Sequence, residues 1–237
     1  MQSALQEPGS VPHLAIVSDG SARWAHAQGR SIVEGHEAAA DTVIARIADA
    51  IELKVEQLTL YAFSTENWAR PAEEVEQLHA MLARRIAADT PVLHERRVKV
   101  HFIGQRDRAG PALAQAIDDA EELTRANSGM RVFVAFDYGG RAEILAAAAR
   151  YLGGGEEAFA KLLHAPQMHD PDVVIRTGGE RRLSNFLLWQ SAYAELVFRE
   201  ELWPDFGRAS LEDCLLEYAV RRRRFGGRET ASALVLG

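Results

Sequence analysis

Arginines, glycines and a hydroxyl group are concentrated in the segment DVVIRTGGERRLSNFLLWQSAYAE, residues 172 to 195. The run DVVIR is typical of a buried strand with an abrupt polar end, and TGGE predicts a turn that exposes backbone N–H groups. Ser184 is a candidate N-cap of a short helix over NFLLWQ, so its hydroxyl, the helix N-terminus and the guanidinium groups of Arg176 and Arg182 could converge. Guanidinium groups form paired hydrogen bonds with phosphate oxygens, so the pattern predicts a diphosphate site. An ordinary strand, turn and helix with solvated arginines is the weaker alternative.

A second candidate site lies in SDGSARW, residues 18 to 24, where a carboxylate, a glycine and an arginine follow an apolar run. The Asp19 carboxylate could ligate a hard cation such as Mg²⁺, unless it only caps the following helix. The residues after it could hold a phosphate through backbone N–H groups and a guanidinium, and the candidates are Gly20, Ser21, Ala22, Arg23 and Trp24. Neither the Walker A spacing nor G-x-G-x-x-G occurs, so a nucleotide site has little support.

A third polar cluster follows the run LTLYAF and extends to Pro71, which is expected to open a helix. The candidates for catalysis or substrate binding in this cluster are Ser64, Glu66, Asn67 and Arg70. A capping loop in which Trp68 fills part of the core is an equally good interpretation on local grounds. The apolar residues of the following helix have ordinary core spacing, which could also wall an apolar tunnel.

The elements that must position these clusters follow from the apolar pattern. Six runs predict strands: HLAIVS, QLTLYAFS, VKVHFIG, MRVFVAFD, DVVIR and AELVFR. Amphipathic segments near 35–53, 73–94, 107–127 and 141–163 predict helices between them. This alternation predicts a single α/β domain with a mostly parallel six-stranded sheet flanked by helices. Ligands of such sheets bind beyond the carboxyl ends of the strands, where all three clusters fall.

Composition argues against several classes of protein. The formal net charge of −7 disfavours nucleic acid as a partner. Cys214 is the single cysteine, so neither a disulfide framework nor a thiolate zinc site is available, and a cytoplasmic location is expected. The first ten residues lack the pattern of a signal peptide, and no apolar run approaches the length of a transmembrane segment. We expect flexible tails at residues 1–12 and 228–237.

In order and spacing, several motifs resemble those of the cis-prenyltransferases of the undecaprenyl diphosphate synthase type: SDGSARWA, GHEA, LTLYAFSTENWARP, FDYGGRAEI, RTGGERRLSNFLLWQSAYAEL, LWPDF and RRRRFGG. The resemblance covers residues 13–227. It implies a homodimeric, Mg²⁺-dependent enzyme that joins isopentenyl diphosphate to an allylic diphosphate with Z stereochemistry. It also implies a hydrophobic tunnel, between the sheet and the helices, for the growing product.

The resemblance implies roles for residues on the donor side of the site. Asp19 would bind Mg²⁺ and the allylic diphosphate. The pocket of that diphosphate would include Gly20, Ala22 and Arg23. The residues that match family positions implicated in activity are His36, Asn67 and Arg70. For His36, a hydrogen-bonded helix histidine without a catalytic role is the alternative.

On the acceptor side, the resemblance implies that Arg176, Arg182 and Ser184 hold the diphosphate of the acceptor. Glu195, in the motif AYAE, would serve the metal. The tail at residues 224–227 would fold toward the active site of a partner subunit. Two diphosphate sites separated by an apolar floor are what this chemistry requires, because the donor must ionise while the acceptor double bond is aimed at it.

Four positions depart from the family pattern. Ser21 stands where Asn is usual, and Ile32 stands where an Arg often supports the allylic diphosphate. Arg84 and Arg85 lie in the tunnel helix, at positions that tend to be apolar or aromatic in members with long products. A charge along the tunnel is costly to bury, which favours a short product if either arginine faces inward.

Three hypotheses follow, and the sequence leaves product length, preferred donor and pathway open. The first is a cis-prenyltransferase that makes a short, regular (Z)-prenyl diphosphate. The second is an irregular enzyme that couples two dimethylallyl diphosphates head-to-middle, as lavandulyl or cyclolavandulyl diphosphate synthases do; the donor-side departures favour it. The third is a catalytically silent partner subunit, which is disfavoured because the catalytic motif residues are present.

Overall fold

The computed structural model describes residues 11–221. Its strands are β1 (His13–Val17), β2 (Gln57–Ser64), β3 (Lys99–Ile103), β4 (Arg131–Tyr138), β5 (Val173–Arg176) and β6 (Glu195–Phe198). They form one sheet in the order β3-β4-β2-β1-β5-β6, in which every pair of neighbours is parallel. All six predicted strands are confirmed, as is the single α/β domain.

Within this part of the chain the α-helices are α1 (Ser21–Ala27), α2 (Ile32–Glu52), α3 (Ala72–Glu95), α4 (Pro111–Thr124), α5 (Gly140–Ala148), α6 (Gly155–Ala160) and α7 (Arg208–Val220). Short 3₁₀ turns cover Thr65–Ala69, Gln190–Tyr193 and Trp203–Asp205. The predicted helix at 141–163 is two helices, because Gly153 and Gly154, both with φ of 107°, interrupt the right-handed conformation.

Both faces of the sheet are buried, as is usual for parallel sheets. Leu14 and Ile16 of β1 point to one face, which packs against α2 and α7. Ala15 of β1 points to the other face, which packs against Phe186 and Leu187 of the segment after β5. This alternation follows from the two-residue period of a strand and leaves the strand ends as the accessible edge of the sheet.

The chain leaves β1 toward β2 on one side of the sheet and returns with β5 on the other side. A crevice therefore forms beyond the carboxyl ends of β1 and β5, which is the usual ligand site of doubly wound sheets. Val17, the last residue of β1, is the partner of Arg176, the last residue of β5. The topology thus brings the first two polar clusters side by side.

Two residues of the predicted N-terminal tail, 1–12, pack against the domain. Val11 is buried in the core, and the carbonyl of Pro12 accepts a hydrogen bond from Gln57 N at 2.9 Å, whereas residues 1–10 lie outside the described residues. The predicted tail at 228–237 lies outside the described residues. Of the helices formed by residues 11–221, none has the length and apolar character that crossing a bilayer requires.

Candidate active site

A charged pair at the ends of β1 and β5 forms the centre of the site. Asp19 Oδ2 accepts a hydrogen bond from Arg176 Nη2 at 2.8 Å, and Asp19 Oδ1 accepts one from Arg23 Nη2 at 3.1 Å. The Arg176 side chain is almost fully buried, whereas that of Asp19 is 30% exposed. The carboxylate is therefore held between two guanidinium groups and remains open to a ligand.

The backbone around this pair is fixed by residues that follow Arg176. Thr177 Oγ1 donates to the carbonyl of Asp19 at 2.8 Å and accepts from its N–H at 3.0 Å. Arg23 Nη1 donates to the carbonyl of Gly178 at 2.7 Å. Gly178 has φ of 83°, and a Cβ there would lie 3.0 Å from the carbonyl oxygen of Asp19, so the backbone conformation and this close approach favour glycine. Sequence reasoning did not select Thr177, although its hydroxyl directly after a strand-ending arginine was a usable signal.

Arg176 also organises the turn that carries Ser184. Its Nη1 donates to Ser184 Oγ and to the carbonyl of Arg182, both at 2.6 Å. Its Nε is buried and has no hydrogen-bond partner among the described residues. Buried polar atoms are rarely left unpaired, so the free N–H is a donor available to an anionic ligand.

The predicted helix over NFLLWQ, with Ser184 as its N-cap, is wrong. Ser184, Asn185 and Leu187 have φ of 49°, 65° and 43°, and the segment to residue 189 is a series of turns. Left-handed residues so closely spaced cannot belong to a right-handed helix. The turns bury both Phe186 and Leu187 against the sheet and bring Ser184 Oγ to Arg176, and these tertiary contacts outweigh the local helix propensity.

Arg182 does not join Arg176 through its side chain. Its guanidinium is 60% exposed and forms an ion pair with Glu180. The structure therefore brings Arg176 and Ser184 together as predicted, while only the backbone of Arg182 reaches them.

The third polar cluster lies at the same edge. Ser64, Asn67 and Arg70 line the cavity beside Asp19, and Asn67 Oδ1 accepts from Ser64 N at 2.9 Å. Arg70 Nη1 lies 3.1 Å from Glu74 Oε1 on α3. These contacts order the loop at the point where it faces the cavity.

His36 of α2 lines the same cavity, as the resemblance implied. Burial, together with the nearby charge of Arg70, lowers the pKa of His36. Its Nε2 is buried without a hydrogen-bond partner among the described residues. His36 is thus a neutral imidazole at neutral pH, with one ring nitrogen free for a ligand.

Glu66 does not line the cavity, and its contribution to substrate binding stays a prediction. Its Oε1 accepts a hydrogen bond from Asn185 Nδ2 at 2.8 Å, and Asn185 Oδ1 accepts from Arg141 N at 2.8 Å. The pair joins the loop at 64–70 to the turn that carries Ser184. Sequence reasoning missed Asn185 because it placed this residue inside a helix.

A cavity of about 620 Å³ opens beside the charged pair and extends between the sheet, α2 and α3. Its polar mouth includes Asp19, Gly20, Ser21, Ala22, Arg23, Ser64, Asn67, Arg70 and Arg176. Its interior is largely apolar and includes Val43, Ile47, Leu60, Met81, Leu93, Val132 and Val134. The mouth suits a diphosphate and the interior suits hydrocarbon. Passage of a growing chain through a tunnel stays a prediction.

The two arginines of α3 differ in position. Arg85 lines the cavity, is 23% exposed, and pairs with Asp41 Oδ1 at 2.7 Å and Asp89 Oδ2 at 3.2 Å. Arg84 is 61% exposed, pairs with Glu37 and does not line the cavity. Asp89 also lines the cavity, and burial raises its pKa although Arg85 opposes that effect. The wall therefore carries one inward-facing arginine, compensated by carboxylates.

Glu195 lies far from the charged pair. It is the first residue of β6 and the partner of Val173. It therefore lies at the amino ends of the parallel strands, whereas Asp19 follows the carboxyl end of β1. Its carboxylate forms an ion pair with Arg221 at 3.0 Å. Within one chain Glu195 and Asp19 therefore lie apart, and the role of Glu195 toward a metal stays a prediction. Sequence reasoning placed it by motif and did not consider which end of its strand it would occupy.

Trp24 is also outside the cavity. Its Nε1 donates to Asp205 Oδ1 at 2.8 Å, and the Arg30 guanidinium lies 5.2 Å from its ring centroid. These contacts attach α1 to the turn at Trp203–Asp205. Trp24 therefore has a packing role in the structure, and its contact with substrate stays a prediction.

The donor atoms at the mouth fit a Mg²⁺ ion that is bound together with a substrate. Residues 11–221 contain no group of three or more His, Cys, Asp or Glu side chains that could hold a metal by themselves. Mg²⁺ is commonly bound by one or two carboxylates plus substrate phosphates. The partly exposed carboxylate of Asp19 can supply that protein ligand.

Known proteins resemble this chain in sequence and in fold. The profile of a family described as "Putative undecaprenyl diphosphate synthase" matches residues 17–226. "Isoprenyl transferase 2" of Bradyrhizobium diazoefficiens is 45% identical over 91% of this chain and 90% of its own. The "Isoprenyl transferase" of Thermotoga maritima is 40% identical over 91% of this chain and 96% of its own.

Two solved structures share the fold. Lavandulyl diphosphate synthase from Lavandula x intermedia, in complex with dimethylallyl diphosphate, has a TM-score of 0.88 and 34% identity, covering 91% of this chain and 98% of its own. A probable undecaprenyl diphosphate synthase from Campylobacter jejuni has a TM-score of 0.78 and 32% identity, with the same coverage of 91% and 98%.

Proposed function

Because this chain belongs to the undecaprenyl diphosphate synthase family of prenyltransferases, we propose that it joins isopentenyl diphosphate to a small allylic diphosphate and releases a short (Z)-prenyl diphosphate. One observation carries the proposal: Asp19 and Arg176, which also binds Ser184, form an ion pair at the polar mouth of an apolar cavity. A catalytically silent subunit is disfavoured, since these side chains are present and contact one another.

The reaction requires charge and hydrocarbon to be kept apart. The allylic C–O bond breaks with its electrons passing to the diphosphate, the acceptor double bond forms the new C–C bond, and the acceptor loses a proton. Cationic groups stabilise the departing diphosphate, while an apolar wall keeps water from the allylic cation. A polar mouth and an apolar interior in one cavity support this chemistry.

On the donor side, Arg23 and the backbone of residues 20–23 bind the allylic diphosphate in this proposal, with His36, Asn67 and Arg70 on the facing wall. The unpaired Nε2 of His36 and the exposure of Arg23 leave both groups available. A Mg²⁺ ion held by Asp19 and the diphosphate would supply further positive charge against the leaving group. Arg23 and Arg70 would stabilise the same charge directly.

On the acceptor side, Arg176 and Ser184 bind the diphosphate of isopentenyl diphosphate. The unpaired Nε of Arg176 is the donor that is free for it. Arg182 joins by leaving Glu180, which costs little because that ion pair is exposed. When the acceptor binds, Arg182 would exchange its ion pair with Glu180 for a charge-assisted hydrogen bond to the diphosphate, and this movement would close the acceptor site.

A short product is proposed from the position of Arg85. Its ion pairs with Asp41 and Asp89 place polar groups on the cavity wall, and a hydrocarbon chain that passes them gains no apolar contact there. Separating or desolvating the pair would cost further free energy. Chain growth is therefore expected to stop near this wall.

A second candidate function is the head-to-middle coupling of two dimethylallyl diphosphates. The structural neighbour with a TM-score of 0.88 is a lavandulyl diphosphate synthase in complex with dimethylallyl diphosphate. Ile32, half-exposed at the start of α2, adds no cation to the donor side. The isoprenyl transferase relatives favour the regular reaction.

Product analysis decides between the two functions. Purified protein is incubated with Mg²⁺ and dimethylallyl diphosphate, with and without isopentenyl diphosphate. The dephosphorylated products are then separated, and their masses are measured by mass spectrometry. Regular (Z)-products that require isopentenyl diphosphate support the proposal. A branched or cyclic ten-carbon product made without it favours the second function, and no product under either condition overturns both.

A further inference from the structure

Asp137, in the motif FDYGGR at the end of β4, has no role in the function proposed above. Its side chain is fully buried and its φ is 44°, in the left-handed region that Asp tolerates better than most residues. Its carboxylate accepts hydrogen bonds from Trp68 Nε1 at 2.8 Å, Arg108 Nε at 2.9 Å and Arg108 Nη2 at 2.6 Å. A buried carboxylate is costly unless such donors satisfy it, so the three side chains form one interdependent cluster.

Arg108 reaches this carboxylate from the loop between β3 and α4. Gly104 has φ of 112° and passes so close to β4 that a Cβ would lie 2.0 Å from a backbone carbonyl oxygen of that strand. Gln105 N donates to the carbonyl of Asp137 at 3.1 Å. The Arg108 guanidinium then lies 4.5 Å from the centroid of the Trp68 ring, which is a cation–π contact.

Trp68 is thereby held on several sides. Asp137 binds its ring nitrogen, Arg108 covers its face, and the rings of Phe63 and His79 lie at centroid distances of 5.4 and 5.0 Å. Trp68 belongs to the 3₁₀ turn Thr65–Ala69, beside the residues of the loop that line the cavity. Its side chain is therefore the anchor of the loop at 64–70 on the side away from the cavity.

We propose that Asp137 is a positioning residue of the active site: by binding Trp68 it holds Asn67 and Arg70 in place at the cavity mouth. The link between Glu66 and Asn185 is a second attachment of the same loop. The catalytic consequence rests on the proposed function, whereas the attachment itself does not. A displacement of about 1 Å of a positioned group can cost about a hundredfold in rate.

The test compares three variants of the full chain. Asp137→Asn tolerates the left-handed backbone, but it removes the charge that binds Arg108 and replaces the charged acceptor of the Trp68 ring N–H with a weaker, neutral one. Trp68→Phe removes the ring N–H and leaves Asp137 paired with Arg108. Asp118→Asn is the matched control, because it removes an exposed carboxylate that pairs with Arg106, in the same loop, without contacting Trp68.

Two readouts are independent of activity. In a ¹⁵N–¹H spectrum the indole signal that disappears in Trp68→Phe is assigned to Trp68, and in Asp137→Asn this signal should move upfield. Amide hydrogen exchange at residues 64–70 should be faster in both variants and unchanged in the control. An unmoved signal with unchanged exchange would show that Asp137 does not hold the loop, whether or not the protein is a prenyltransferase.

Steady-state kinetics test the catalytic consequence. We expect kcat to fall about tenfold to a hundredfold in Asp137→Asn and in Trp68→Phe, with little change in KM for isopentenyl diphosphate. If Asp137→Asn does not fold, Trp68→Phe alone decides. Faster exchange at 64–70 with kcat within twofold of the parent would refute a positioning role and leave only a structural one. Absence of activity in the parent would instead count against the proposed function.

Discussion

At the scale of single residues, Asp19 has two functions that the sequence could not separate. Its carboxylate faces the cavity mouth, and it also neutralises Arg176, whose side chain is almost fully buried. A buried guanidinium that loses its counter-charge keeps only neutral partners, here Ser184 Oγ and the carbonyl of Arg182. Substitution of Asp19 should therefore affect stability as well as turnover.

We predict that Asp19→Asn lowers kcat/KM at least about a hundredfold, because it removes the carboxylate proposed to serve the leaving diphosphate. It should also lower the free energy of unfolding by about 1–3 kcal/mol, since a hydrogen bond to a charged, buried partner is weakened. Steady-state kinetics and urea unfolding measure the two effects. Ser184→Ala is the comparison for stability, because it removes one neutral contact of Arg176 and keeps the ion pair. Activity of Asp19→Asn within a few fold of the parent would exclude Asp19 from the mechanism.

At the scale of elements, α3 provides the cavity wall and with it the proposed limit on product length. Its apolar residues Leu78, Met81 and Ile86 line the cavity together with Arg85 and Asp89. On the cavity side of α3, the charged residues Arg85 and Asp89 therefore interrupt a stripe of apolar residues. Charge on this stripe is tolerated because α2 supplies Asp41 as a partner for Arg85.

We predict that Arg85→Leu shifts the product distribution to longer chains, since an apolar side chain replaces a charged one that product cannot contact favourably. Arg84→Leu is the matched control: it lies one residue earlier on α3, is exposed and does not line the cavity. Chromatography of dephosphorylated products measures the distribution. Equal product lengths in Arg85→Leu, Arg84→Leu and the parent would show that Arg85 does not limit growth. Products of roughly ten or more isoprene units from the parent protein would already contradict the cost assigned to the charge on the cavity wall.

At the scale of the whole molecule, a buried histidine at the amino ends of the strands, away from the active site, is expected to make stability depend on pH. His13 at the start of β1 is fully buried, and its ring nitrogens contact the carbonyl of His169 at 2.5 Å and Thr59 Oγ1 at 2.8 Å. Burial lowers the pKa of His13 from 6.5 to about 4. Between these values the unfolded chain binds a proton that the folded protein does not, so the folded state loses stability as pH falls from 6.5 toward 4.

We predict that His13 contributes a loss of up to about 3 kcal/mol in the free energy of unfolding across this interval, with no further loss from this group below pH 4. Urea unfolding at several pH values measures the slope, and His13→Gln should reduce it. Burial also lowers the pKa of His79 and of His101, so some slope of the same sign will remain. A slope that is unchanged in His13→Gln would assign the pH dependence to other groups.

The oligomeric state belongs to the same scale. A homodimer is proposed from the family resemblance, in which the RRRRFGG tail reaches a neighbouring active site; most of that tail lies outside the described residues. Arg221, its first residue, binds Glu195 at 3.0 Å and the carbonyl of Leu196 at 2.9 Å on the edge strand β6. The tail therefore starts at an open edge of the sheet, beside the half-exposed or exposed side chains of α7.

We predict that truncation after Arg221, which keeps these contacts, lowers kcat more than it lowers the melting temperature, because it removes residues proposed to act in the partner subunit. Truncation after Val220 should add a loss of stability, since it also removes the ion pair with Glu195. Light scattering and kinetics are measured on the same samples. A fully active monomer would contradict the proposal.

The sequence by itself indicated the strands and grouped polar residues that the structure brings together, but the amphipathic segments that it predicted do not include α1 or α7. Strand patterns are local, so the runs from HLAIVS to AELVFR located every strand that residues 11–221 form. The carboxyl ends of parallel strands must meet at one edge, which is why Asp19, Asn67 and Arg176 could be grouped without coordinates. The family followed from long motifs in order, a linear property of the chain.

Only the tertiary structure decided which way particular side chains face. The segment 184–189 forms turns in place of the predicted helix. The reason is that Phe186 and Leu187 are buried against the sheet and Ser184 binds Arg176, and local helix propensity does not predict such tertiary contacts. Glu195 lies apart from Asp19 because strand register, not motif membership, decides whether a residue lies at the amino or the carboxyl end of the strands. Arg85 rather than Arg84 lines the cavity, although both pair with carboxylates of α2, because tertiary packing sets the rotation of α3, which helical period alone does not fix.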